Sequence, residues 1–274
     1  MWCLAQARHF ASRWRLAPRG SAWLEPGTTG RISLSHTRPF RPLVRFIDNM
    51  HAGLVVRPPR NEASGAIHHV VAQGSARGRI VVDDRDRLAY DVRFARIRRE
   101  LGWLVHSNCL MDTHHHAILE TSQPNLGLGM QRLQGGHSLW FNQRHRREGP
   151  VFRHRYWSRR ILDEEWLLRA CVYVVVNPVA AGLCAHPREW RWGSYTSTAD
   201  GDPDAYAPGE ERLLGMFGDT PLEARLRYAE VIDDAVEIVQ GRRLANGREV
   251  WAALGDIEIL RDVACLAQAR HQAV

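Results

Sequence analysis

Lysine is absent from this chain of 274 residues, so all 37 of its basic side chains are arginine. The absence reads as coding-DNA base composition rather than selection for bidentate phosphate contacts, and by itself it names no partner. No apolar run approaches the ~18–20 residues that a membrane-crossing helix needs, which predicts a chain without a membrane span. Thiols are few and scattered. Cys3, Cys109, Cys171, Cys184 and Cys265 show no CxxC spacing, which argues against a cysteine-held zinc or a dithiol redox pair. They read as core thiols of a protein in a reducing cytosol. Residues 1–50 also lack the apolar core of a secretory signal.

What the sequence does carry is charge, unevenly spread. Residues 1–50 hold eight Arg against Glu25 and Asp48, a net +6, and residues 201–274 hold eight Arg against fourteen acids, a net −6. The middle, 51–200, keeps the remaining +7. A basic middle with an acidic tail suggests that the middle meets a polyanion and the tail does not. Three segments are expected. Residues 1–54 are an Arg-rich extension without periodicity, expected to be disordered; they resemble a transit peptide in composition, but read better as an extension ahead of the domain, with Met50 near its expected beginning. Residues 55–200 form the main domain, and residues 201–274 an acidic helical C-terminal extension with no chemistry of its own.

Within the main domain the pattern alternates quickly. Ile67–Gln73 reads as a strand, Gly74–Gly78 as a turn and Arg79–Val82 as a second strand. A helix is expected over 83–102, with Leu88, Val92, Phe94, Ile97 and Leu101 at helical spacing. Strands follow over 103–111 and through the histidine run. The next helix covers 126–146, with a kink or break at Gly135-Gly136. Val151–Arg160 reads as a hairpin-like basic segment. A further helix opens on Asp163, Glu164 and Glu165 and is closed by Pro178, because the residue before a proline avoids the α region. Beyond a Gly/Pro/Asp linker, 209–218, 222–239 and 250–267 look helical. Strands and helices interleaved in this way predict an α+β fold: one antiparallel sheet with helices on one face.

The chemistry converges on Met111-Asp-Thr-His114-His115-His116-Ala-Ile-Leu-Glu-Thr121. In an extended chain His114 and His116 share one face, roughly 6–7 Å apart, and His115 takes the other. Two imidazoles at that spacing can share one divalent metal, although a pair of partly buried structural histidines gives the same pattern. On the later helix Tyr173 and Asn177 lie four apart and therefore on one face. A phenol and a carboxamide so placed can join the histidine pair, but a core tyrosine with a capped hydroxyl fits the same spacing.

These residues together resemble a known family. His114-His115-His116 followed by Ala-Ile-Leu-Glu-Thr, then Pro124-Asn125-Leu126, Gly129-Met130-Gln131-Arg132-Leu133, Trp140-Phe141-Asn142, Val151-Phe152, Tyr173-x-x-x-Asn177-Pro178-Val179-x-Ala181-Gly182-Leu183 and Trp190-x-Trp192-x-Ser194-Tyr195 look like the REP-associated branch of the single-tyrosine HUH transposases. The start, Arg57-Pro-Pro-Arg60 to Gly65-Ala-Ile-His-His-Val-Val-Ala-Gln-Gly74, fits as well, so the resemblance spans about residues 55–200. It implies a ferredoxin-like sheet. It also implies a metal site of His114, His116 and Asn177 holding Mg²⁺ or Mn²⁺, with Tyr173 as nucleophile. The implied reaction is cleavage and rejoining of single-stranded DNA through a 5′-phosphotyrosine, at hairpin-forming repeats. His115 departs from the family pattern, where a bulky apolar residue is usual.

For the DNA surface the sequence offers Arg144, Arg146 and Arg147, then Arg153, Arg155, Tyr156, Trp157, Arg159 and Arg160. Guanidiniums neutralise phosphates, and interleaved aromatics stack on unpaired bases. An ordinary solvated basic face is the plainer alternative. The tryptophans of Trp190-Arg-Trp192 fit a structural role, packing the end of the chain on the sheet. The expected partner is single-stranded or hairpin DNA and the expected place the bacterial cytoplasm, at the nucleoid; monomer and homodimer both remain open. Two rivals stand beside the transposase reading: a non-catalytic nucleic-acid binder on the same fold, and a metal hydrolase in which His114 and His116 activate water and Tyr173 is structural.

Overall fold

The computed structural model describes residues 62–201, 209–242 and 246–257, with single positions 244, 260, 263 and 264. The expectations for residues 1–54, for Arg57–Arg60 and for the far end of the last helix lie outside these described residues. Four strands, β1 (Ala66–Gln73), β2 (Trp103–Leu110), β3 (His114–Thr121) and β4 (Trp157–Ile161), form one sheet in the order β2-β3-β1-β4. Every neighbouring pair is antiparallel. Helix α1 (Asp84–Leu101) joins β1 to β2, and α2 (Leu126–His145) joins β3 to β4. This βαββαβ order is the ferredoxin-like arrangement, with its two helices on one face of an α+β sheet.

Local signals explain the helix ends. The Asp83 carboxylate accepts from the Asp86 N–H at 3.0 Å and starts α1, while Gly102, at φ 66°, ends it in the left-handed conformation. Gly129 lets α2 sit close on the sheet, because a side chain there would overlap the Trp103 ring. Val70, Ala72, Val105, Ala117 and Leu119 from the sheet meet Tyr90, Phe94, Ile97, Met130, Leu133 and Phe141 from the two helices in one apolar layer.

The structure departs from the sequence reading in several places; Val151–Arg160 is no hairpin but an irregular stretch that leads into the single strand β4, which pairs with β1. Arg79–Val82 is not a strand; the Ile80 and Val81 N–H groups both donate to the Asp112 carbonyl, at 2.7 and 3.3 Å, in a loop that buries both side chains. On α1, Leu88 and Val92 are 56% and 61% exposed, whereas Asp86 is fully buried and ion-paired with Arg144. A buried carboxylate with its partners took a position that hydrophobic periodicity assigns to leucine. Gly135 and Gly136 do not break α2; Gly136 gives room to the Arg93 side chain, whose Nε would stand 2.9 Å from an added Cβ. Pro178 lies inside its helix, which runs on to Ala180 and closes through Gly182 at φ 69° and the Leu183 N–H on the Pro178 carbonyl.

That helix, α3 (Glu164–Ala180), starts on an Asp163 cap and covers the opposite face of the sheet. Around it pack α4 (Tyr195–Asp200), α5 (Glu210–Phe217), α6 (Pro221–Gly241) and α7 (Gly247–Leu254). Leu168, Val172 and Val176 share one apolar cluster with Ile118 of β3 and with Leu213, Val231, Ile232, Val250 and Trp251. Trp190 and Trp192 fasten the segment after α3 to the sheet: the Trp190 indole donates to the Leu110 carbonyl, and the Leu110 N–H to the Trp192 carbonyl. Arg87 lies 5.7 and 5.8 Å from the two ring centroids. Among the described residues no helix is long and apolar enough to cross a membrane.

Candidate functional site

Strand alternation sends the three consecutive histidines to opposite faces. His115 enters the α1–α2 layer, where its Nδ1 lies 3.1 Å from the Tyr90 hydroxyl and its ring packs edge-on against Tyr90 and Phe94. His114 and His116 turn toward α3, their ring centroids 4.8 Å apart. The β1–β3 register sets Val71 opposite His116 and His69 opposite Ile118, so His69 is a diagonal neighbour of His116 on the same face. His69 Nε2 and His116 Nδ1 are 3.0 Å apart, both rings buried. The sequence reading missed His69; its place depends on which residues of β1 and β3 pair, and no motif encodes that.

Tyr173 comes down onto this trio from α3. Its ring centroid lies 5.7 Å from that of His116 and 6.1 Å from that of His69. One turn on, the Asn177 amide nitrogen donates to the Tyr173 carbonyl at 2.7 Å, which leaves the carboxamide oxygen free to turn to other partners. The structure thus brings His114, His116, Tyr173 and Asn177 together, and adds His69.

Burial sets the electrostatics. It drops His114 to about 4, with an Asn177 hydrogen bond opposing the shift. It holds His69 at about 3, helped by the charge of Arg159, and takes His116 well below its ordinary value. All three rings are therefore neutral at pH 7, with lone pairs to offer. Burial also raises the Tyr173 phenol above its ordinary value, and Asn177 works weakly the other way. The hydroxyl is closed off. Tyr173 is 6% exposed, the Trp251 ring lies 5.7 Å from its own, and a Cβ at Gly247 would stand 2.5 Å from the phenolic oxygen. Helix α7 is held there by Arg169, whose Nε donates to the Trp251 carbonyl at 2.9 Å and whose guanidinium lies 4.6 Å from the Trp251 ring centroid.

The donor set can be tested against a divalent ion. Among the described residues no group of three or more His, Cys, Asp and Glu side chains is arranged to hold one. A metal here would take two neutral imidazoles and the Asn177 oxygen, three neutral donors with positions left for phosphate or water oxygens. That set has no thiolate, and it would suit a hard ion such as Mn²⁺ or Mg²⁺ better than a closed structural zinc.

The arginines divide. Arg146, Arg147, Arg155 and Arg160 are exposed, and Arg153 is half-buried beside β1, where its N–H donates to the Gln73 carbonyl. Arg147 also lies 5.4 Å from the Phe141 ring centroid. Arg144 is committed elsewhere, to Asp83 at 2.7 Å and to Asp86, where it ties α2 to α1. Arg159 stacks on Trp166 at 3.9 Å, on the histidine side of the sheet. Trp157 packs edge-on against His69, and Tyr156 is 3% exposed with its hydroxyl 3.4 Å from the Glu62 carboxylate. Tyr156 is thus a core residue and not a stacking platform.

No family model matches the chain, and no curated protein matches it either. Among solved structures, that of a REP-associated tyrosine transposase bound to a REP hairpin is similar at a TM-score of 0.46 and 12% identity, covering 56% of this chain and 88% of that one. The likeness is distant.

Proposed function

We propose that this protein is a metal-dependent transposase or endonuclease that cleaves and rejoins single-stranded DNA through a covalent bond to Tyr173. The observation that carries the reading is the convergence on one sheet face of two neutral histidines, a tyrosine and a carboxamide from two separate elements. A core that needed only to be filled would have no use for so many hydrogen-bonding groups in mutual contact.

In this reading His114, His116 and Asn177 would hold the ion. When bound, the ion supplies Lewis-acid polarisation of a phosphate oxygen and stabilises the departing oxygen. Tyr173 supplies the nucleophile. Its phenolic oxygen attacks phosphorus and gives its proton to solvent, the bond from phosphorus to the 3′-oxygen breaks, and the 3′-oxygen takes a proton from solvent to leave as a hydroxyl. The phosphotyrosine conserves the ester, so a second 3′-hydroxyl can displace Tyr173 and rejoin a strand. Arg153, Arg155 and Arg160, with Arg146 and Arg147 nearby in the chain, would carry the strand by its phosphates.

Tyr173 cannot reach phosphorus while Gly247 and Trp251 cover it, so α7 must move aside first. That closure also supports a second reading, a nucleic-acid binder whose tyrosine stays buried. The experiment that separates them incubates the chain with single-stranded hairpin oligonucleotides and Mn²⁺ and resolves the products on a denaturing gel. A detergent-resistant protein–DNA adduct in the wild type but not in Tyr173→Phe is expected. Binding without cleavage would select the binder, and cleavage without an adduct in both proteins would select a hydrolase.

A further inference from the structure

Two neutral imidazoles that share one hydrogen bond hold a single proton between their facing nitrogens, so one ring donates and the other accepts. For His69 Nε2 and His116 Nδ1, 3.0 Å apart, this leaves two arrangements. With the proton on His69 Nε2, His116 keeps its own proton on Nε2 and offers no lone pair there. With the proton on His116 Nδ1, His116 Nε2 is bare, and the proton of His69 sits on Nδ1. Each ring carries one proton in both arrangements, so the two differ in placement and not in charge.

The surroundings make the choice consequential. His69 is fixed edge-on between Trp157 and Tyr173, with ring centroids at 5.5 and 6.1 Å, so it cannot swing away from His116. Its Nδ1 is buried without a hydrogen-bond partner.

Resting on the metal reading above, we propose that His69 is the positioning residue for His116. With the ion held, it would accept the His116 Nδ1–H, leave His116 Nε2 bare as ligand, and carry its own single proton on Nδ1. Partners that orient a metal-bound histidine in this way affect affinity strongly, by about 10–100-fold on removal.

The test is a Mn²⁺ titration of the full chain, read by the electron paramagnetic resonance of the free ion, in wild type, His69→Gln and His69→Leu. A glutamine oxygen can accept the His116 proton and a leucine cannot. His69→Leu should bind Mn²⁺ about 10–100-fold more weakly, and His69→Gln should stay within about threefold of wild type. Nitrogen-15 spectra of the Mg²⁺-saturated wild type supply a readout that needs no variant: His116 should show a protonated Nδ1. Unchanged affinity in His69→Leu, equal losses in both variants, or a protonated His116 Nε2 would overturn the role of His69 alone. A wild type that binds neither ion would overturn the metal reading and this inference with it.

Discussion

The two faces of the sheet receive histidines from the same three-residue run and use them differently. On the α1–α2 face His115 is single, wedged between Tyr90 and Phe94 and hydrogen-bonded to the tyrosine. On the α3 face His114 and His116 meet each other, His69, a second tyrosine and a carboxamide. Both faces hold a tyrosine beside a buried imidazole, so that pairing is no mark of chemistry. What separates them is the number of lone pairs brought together and the element that covers them. Tyr90 is locked inside a continuous core, while the Tyr173 hydroxyl is covered by α7, a short helix pinned through Arg169.

The same substitution made on each face should break the symmetry most. Tyr173→Phe should abolish the covalent adduct and leave stability nearly unchanged. Tyr90→Phe should keep the adduct but cost about 1–3 kcal/mol in urea unfolding, because the His115 nitrogen loses its partner. Next in size, His116→Phe should weaken Mn²⁺ binding by at least about 100-fold. His115→Phe should leave binding intact and cost less than about 1.5 kcal/mol, since an aromatic of similar volume fits beside Phe94.

Acid should act on both faces at once. His69 and His115 are each held near 3 in the folded chain by burial, and their unfolded value is near 6.5. A base depressed on folding binds more protons when unfolded, so its contribution is present above pH 6.5 and is lost as pH falls toward 3. Each ring should remove up to about 1.4 kcal/mol per pH unit below 6.5, visible as a falling urea midpoint. The His115→Phe variant should show a shallower fall. The smallest effect is expected at the cover. Gly247→Ala presses a methyl group on the Tyr173 hydroxyl, and should speed hydrogen exchange at 247–254 and raise the rate of adduct formation a few-fold.

Much of this face is legible in the sequence. Alternation along a strand placed His114 and His116 together and His115 apart, and helical spacing put Tyr173 above Asn177. Those are local relations, fixed by backbone geometry alone. His69 was not legible, because its meeting with His116 depends on the β1–β3 register. Nor was the closure of Tyr173, which joins residues 74 positions apart through helix packing. Arg144 shows the same limit from the other side: its basic surroundings suggested phosphate, but Asp83 and Asp86, brought near by the α1–α2 pairing, claim it. Leu88 and Val92 misled for a related reason, since a paired carboxylate took the buried side of α1.

The most direct measurement of the difference between the faces is electron spin echo modulation of Mn²⁺ bound to the full chain with the imidazole nitrogens visible. Two coupled imidazole nitrogens are predicted, falling to one in His114→Ala and staying at two in His115→Phe. A bound Mn²⁺ with no coupled imidazole, or one whose coupling disappears with His115 and not with His114, would contradict the assignment of the metal to the α3 face.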